Sequence, residues 1–208
     1  FKAAQMHGHY CTGLALGIMA GVMAMKELQA DSDGLEGLMA VVETNNCFSD
    51  GIQFVTGCSF GNNSMVFKDI GKTAFSLAQR NGRAIRLVQK SGARQYIQQA
   101  GDAFEEHYRQ VVGEQKRSNH HIEGFKVEGF RKAFRLIHLD ASMIFSMQEV
   151  KAVLPPYAPS YPSLICSHCG EEVMESRCIK DGDKTYCLSC QHKGTWGQLD
   201  GHGIHYSD

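Results

Sequence analysis

The chain has 208 residues, of which 43% are hydrophobic and 21% charged, and its formal net charge is −1. Those proportions describe an ordinary globular protein. No Lys/Arg run exceeds two residues, which argues against a nucleic-acid footprint, and no apolar stretch reaches the length of a membrane span.

In chain order, residues 11–28 read as a buried helix, with Thr12 as its N-cap and Leu16, Met19 and Met23 at helical spacing. Gly13, Gly17 and Gly21 form a smooth stripe along it, expected to let the helix lie close on a sheet. Leu38 to Val42 reads as a buried strand. Ser49 or Asp50 is expected to cap a short helix that runs through Val55 and stops at Gly57. Residues 73–79 and 83–89 alternate in hydrophobicity around Asn81-Gly82, a strong hairpin signal. Two amphipathic helices follow. One carries Ile97, Ala100, Phe104, Tyr108 and Val111 on one face; the other carries Val127, Phe130, Phe134, Ile137, Ala141 and Ile144. Strands and helices alternate irregularly, as in an α+β or α/β sandwich. All four prolines lie between Pro155 and Pro162 and mark a boundary. The expected division is therefore a domain over 1–154, a linker over 155–163 and a small domain over 164–208.

The small domain carries Cys166-Ser-His-Cys169 and Cys187-Leu-Ser-Cys190, two C-x-x-C pairs separated by seventeen residues. Two residues between sulfurs let a tight turn aim both at one point, and a second pair completes a tetrahedron around Zn²⁺. Two disulfides are the competing reading. Asp181-Gly182 signals a hairpin between the pairs, with Cys178 on it and outside the ligand set.

A second cluster lies at the N-terminus, where His7, His9 and Cys11 alternate. In an extended segment, alternate side chains share a face and converge on one ion. Cys11 sits at the start of the helix that follows, where a thiol is acidified. Cys47 and Cys58 fall at element ends, where scaffolds present chemistry. The expectation is a pocket in which His9 and Cys11 meet Cys47 and Cys58, with His7 beside them and Asp50 or a histidine moving protons. Zn²⁺ and Fe²⁺ both suit such donors. Eight cysteines in metal-like arrangements point to a reducing compartment, and cytoplasm is the default.

The run Met6-His7-Gly8-His9-Tyr10-Cys11-Thr12-Gly13-Leu14-Ala15-Leu16-Gly17 resembles the opening motif of the formylmethanofuran dehydrogenase FmdE-like family. Cys47 to Cys58 and Asp69-Ile70-Gly71-Lys72 are similar to that family's next two blocks, and the cysteine ribbon resembles the zinc module that many members append. Thr12 stands where the family usually has proline. The resemblance implies an α+β domain with a mixed sheet flanked by helices, thioredoxin-like in outline, followed by a treble-clef zinc finger. It implies an active site around the motif histidine and cysteines, and a link to molybdenum or tungsten enzymes of C1 metabolism. The chain shows no ferredoxin-type iron–sulfur spacing of its own. Three roles stay open: a metal-dependent enzyme, a carrier of metal or cofactor, and a structural adaptor. A homodimer is expected, since the two amphipathic helices show more apolar surface than a small sheet covers.

Overall fold

The computed structural model of the chain describes residues 1–101, 103–157, 160–191, 199–200 and 203–204. It separates into two compact units, Phe1–Pro155 and Pro156–Asp208. Residues 158–159 of the expected linker, and 192–198, 201–202 and 205–208 of the expected small domain, lie outside the described residues.

The first unit opens with α1 (Lys2–His7), which Gly8 ends in the left-handed region at φ 96°. Next come α2 (Thr12–Leu28), β1 (Leu38–Val42), α3 (Cys47–Thr56) and β2 (Met65–Phe67). The hairpin β3 (Ala74–Gln79) and β4 (Ala84–Gln89) turns at Asn81-Gly82, where Gly82 has φ 90°. After it stand α4 (Ala93–Gln98), α5 (Ala103–Tyr108) with a π-helical turn over Arg109–Gly113, α6 (Asn119–Leu136), α7 (Ala141–Ile144) and β5 (Phe145–Glu149).

The five strands form one sheet in the order β2-β1-β3-β4-β5. Only β1 and β2 pair in parallel; the other three pairings are antiparallel. The fold is thus α+β, a mixed sheet flanked by helices. Phe48 of α3 is fully buried beside Phe75 of β3 and Phe145 of β5, at ring separations of 6.1 and 6.2 Å. With Leu77, Leu87, Ile52 and Leu136 they make the main core. Each such side chain removed from water stabilises the fold by about 1.5–3 kcal/mol. No helix of the described residues is long and apolar enough to cross a membrane.

The glycine stripe of α2 meets α3 and not the sheet. A Cβ added at Gly13 would stand 2.9 Å from Cys47 Cβ, and one at Gly21 would stand 2.9 Å from Val55 Cβ. From the other side, a Cβ at Gly51 would lie 2.6 Å from the Leu14 carbonyl oxygen. The two helices therefore touch backbone to backbone, closer than any side chain permits.

Two helical expectations need correction. The stretch from Ile97 to Val111 is not one helix: Gly101, at φ 110°, breaks it into α4 and α5. Ile97, Ala100, Phe104 and Val111 are still buried, while Tyr108 is half exposed. In α6 the stripe of Val127, Phe130, Phe134 and Ile137 faces outward at 36–51% exposure. The helix buries a neighbouring stripe, Phe125, Gly129, Lys132, Ala133 and Leu136. Both stripes have helical periodicity, so spacing alone does not say which one turns inward.

The second unit pairs β6 (Ser163–Ile165) with β7 (Glu172–Met174) and, after a 3₁₀ turn, β8 (Cys178–Asp181) with β9 (Lys184–Cys187). A short α8 (Leu188–Gln191) follows, and β10 (Leu199–Asp200) pairs with β11 (Gly203–Ile204).

Candidate metal centre

Three local devices bring the N-terminal donors together. Gly8 stops α1 just after His7 and turns the chain so that His9 follows as a short extended link. Cys11, not Thr12, is the N-cap of α2; its sulfur accepts the Leu14 N–H at 3.4 Å. Asn46 caps α3 through its side-chain oxygen, in place of the expected Ser49 or Asp50, and so makes Cys47 the first residue of that helix. The close contact of α2 with α3 then sets the two helix starts side by side.

As a result, one donor atom each from His7, His9, Cys11 and Cys47 lies within 4.8 Å of all the others. Cys11 Sγ and His7 Nε2 are 3.7 Å apart. A tetrahedron with arms of about 2.0–2.3 Å has edges of about 3.3–3.8 Å, so two thiols and two imidazoles stand at almost the spacing zinc needs. The histidines differ in support. His7 Nδ1 is 2.6 Å from Asp50 Oδ2, which fixes the ring and leaves Nε2 toward the sulfurs. His9 instead stacks on His7 at 4.5 Å and on Phe125 at 5.3 Å between ring centres.

The sulfurs are electrostatically unequal. The Cys47 thiol is held down to about 4, first by a hydrogen bond from Cys11 and then by one from His9. The Cys11 thiol is pushed up, first because it gives that hydrogen bond to Cys47 and then by burial. One proton thus sits between two sulfurs, on the deeper one, and a metal ion would displace it.

Cys58 does not join this group, contrary to expectation. Cys47 begins α3 and Cys58 lies just past its end, and a helix of ten residues is about 15 Å long. Cys58 is buried in the main core, and that burial pushes its thiol up. Asp50 is a neighbour of His7 and is not among the four donors. The extended reading of His7 to Cys11 also fails in part, because His7 ends a helix. Nothing in the sequence announced that Tyr10 and Lys126 would share a groove with His9.

In the second unit, Cys166, Cys169, Cys187 and Cys190 offer sulfurs within 4.8 Å of one another. Gly170, at φ 76°, closes the first knuckle by giving its N–H to the Cys166 carbonyl at 3.0 Å. Cys187 ends β9 and Cys190 sits in α8. The Cys187 N–H points at Cys166 Sγ and the Cys190 N–H at Cys187 Sγ, both at 3.4 Å. Backbone N–H groups, that of Cys169 foremost, hold the Cys166 thiol down to about 6. Cys178 starts β8, lies outside the four-sulfur group, and points its sulfur at the Met174 carbonyl 3.4 Å away.

A mixed sheet with this histidine–cysteine cluster, followed by a C4 zinc finger, defines the class. Residues 6–146 match the family described as "FmdE, Molybdenum formylmethanofuran dehydrogenase operon", and the chain belongs to that family. Residues 159–193 match the prokaryotic dksA/traR C4-type zinc finger. A curated protein of Archaeoglobus fulgidus, described as a probable S-adenosyl-L-methionine-binding protein, is 30% identical over 210 residues. The match covers 98% of this chain and 54% of that protein, so the chain spans about half the length of this relative. A solved structure of an FmdE-like protein of tungsten formylmethanofuran dehydrogenase, from Syntrophus aciditrophicus, superposes with a TM-score of 0.53. It shares 23% identity, and the match covers 91% of this chain and 88% of that one, a likeness of fold.

Proposed function

We propose that this FmdE-family protein carries two metal ions of different purpose. One is a structural zinc in the C4 finger; the other is a zinc or ferrous ion held by His7, His9, Cys11 and Cys47. The observation that carries the second assignment is the convergence of those four donors within 4.8 Å, with His7 fixed by Asp50. Thiolate and imidazole together suit zinc and iron, whereas magnesium and calcium prefer oxygen. When bound, such an ion supplies Lewis acidity or a redox centre. The chain's own part is to hold the donors ready, and Asp50 keeps the His7 tautomer that offers Nε2.

The work of this centre is read as service to a molybdenum or tungsten formylmethanofuran dehydrogenase, the setting named for the family. Carriage of metal to that partner is the second reading. It is favoured by the complete set of four protein donors, because catalytic zinc sites ordinarily leave one position to water. We further propose that the chain acts as a homodimer in the cytoplasm. The outward stripe of Val127, Phe130, Phe134 and Ile137 is the surface that a second copy would cover. Free thiols at all eight cysteines suit a reducing compartment.

Metal analysis of protein purified without oxygen is the test. Two ions per chain are expected in the wild type and one in Cys11→Ser; one ion in both would overturn the second site. Release of that ion to a competing chelator within minutes favours carriage, and retention through hours of dialysis favours catalysis. Light scattering that gave a single species of 23.0 kDa at micromolar concentration would dispose of the dimer.

A further inference from the structure

A groove of about 470 Å³ runs between α1 and α6 and ends at His9. Ala4 and Gly8 leave it room, Tyr10 and Phe130 give it aromatic walls with ring centres 5.1 Å apart, and Lys126 stands one helical turn before Phe130. Lys126 is the only charged residue along it, and no ion pair engages its ammonium among the described residues. The volume is that of a small-molecule site, and residues four apart on α6 place cation and ring on one face of the helix.

We infer that this groove binds a small ligand with a flat apolar body and a single anionic group, a carboxylate in the simplest case. The body lies against Tyr10 and Phe130, and the anion pairs with Lys126. The aromatic walls favour a planar ligand over a flexible chain. The absence of any acidic side chain from the lining excludes a cationic ligand. His9 belongs both to the groove and to the four-donor cluster, so a ligand seated here lies next to the metal centre. Unlike His7, His9 has no carboxylate behind it; its ring is held by stacking and by its bond to Cys47, at the border of cluster and groove. Placement beside the metal rests on the function proposed above; the groove itself does not.

Calorimetric titration with benzoate, and with benzamide as its uncharged counterpart, tests this on zinc-loaded protein and on the same protein after chelation. Benzoate is expected to bind saturably and more tightly than benzamide. Lys126→Gln is expected to weaken benzoate by roughly fivefold to tenfold, as a part-exposed ion pair would, while benzamide is unchanged. Phe130→Ala is expected to weaken both, with unchanged circular dichroism showing that the fold persists. Equal binding of the two ligands, no effect of Lys126→Gln, or no saturable binding at all overturns the groove; so does competition for it by a second copy of the chain. If no second metal binds and benzoate still depends on Lys126, the metal reading falls and the groove stands. If the second metal binds and benzoate does not, the reverse holds.

Discussion

In the C-terminal unit the four sulfurs come from the single stretch Cys166 to Cys190, and the only buried hydrophobic residues described there are Cys166 and Cys187. In the N-terminal unit the donors come from residues 7 to 47 and rest on a core of more than twenty buried side chains. The finger has little to hold it but its ion, so metal binding and folding are one event. The N-terminal donors are positioned by helix caps and helix contact, so that unit is expected to fold first and bind afterwards. Similar donors therefore serve opposite ends: one ion makes its site, and the other enters a site already made.

The largest expected effect breaks the finger. Cys169→Ser should abolish its zinc and its resistance to protease, since zinc contributes about 10–16 kcal/mol of apparent binding energy to such modules. Cys11→Ser should remove the second ion and leave the unfolding transition of the N-terminal unit in place. If both substitutions unfolded their units alike, the contrast would be wrong.

Next in size is Gly17→Ala. Alanine is ordinarily better in a helix by about 1 kcal/mol. Here the added methyl meets the backbone of Phe48 and Gly51, so a loss of about 1–3 kcal/mol is expected in denaturant unfolding, with weaker binding at the second site. A stabilised variant would show that the helix contact does not position the donors. Asp50→Asn comes third. It should weaken the second ion about 10- to 100-fold and leave the finger's zinc untouched, as read by competition with a chelator. Cys178→Ser is the smallest: zinc content and melting of the finger should not change, and any loss of metal would place that sulfur among the ligands.

Legibility in the sequence follows the same division. The finger could be read whole because its ligand geometry is encoded within two short turns, each closed by local hydrogen bonds. Among the N-terminal donors, His7, His9 and Cys11 were visible because they are neighbours in the chain. Cys47 was visible only as a cysteine near an element end, and so was Cys58. What separates those two is the length of α3, which carries one to the cluster and the other into the core. The strands β2 and β5 went unread: β2 has three residues, and β5 follows directly on Ile144 at the end of α7. On α6, two helical apolar stripes compete, and only the packing of Gly129 against the Tyr10 backbone shows which is inside.

The backbone contact between α2 and α3 also governs how this protein tolerates change. Gly13, Gly17, Gly21 and Gly51 bond to no ligand and carry no chemistry, yet every other amino acid at these positions pushes one helix start away from the other. In a saturation library scored for the second metal, these four positions should be as intolerant as the donors themselves. A thiol can be exchanged for another metal-binding group, but nothing replaces a missing side chain. The most restrictive letters in the N-terminal site are those that contribute no atom to it.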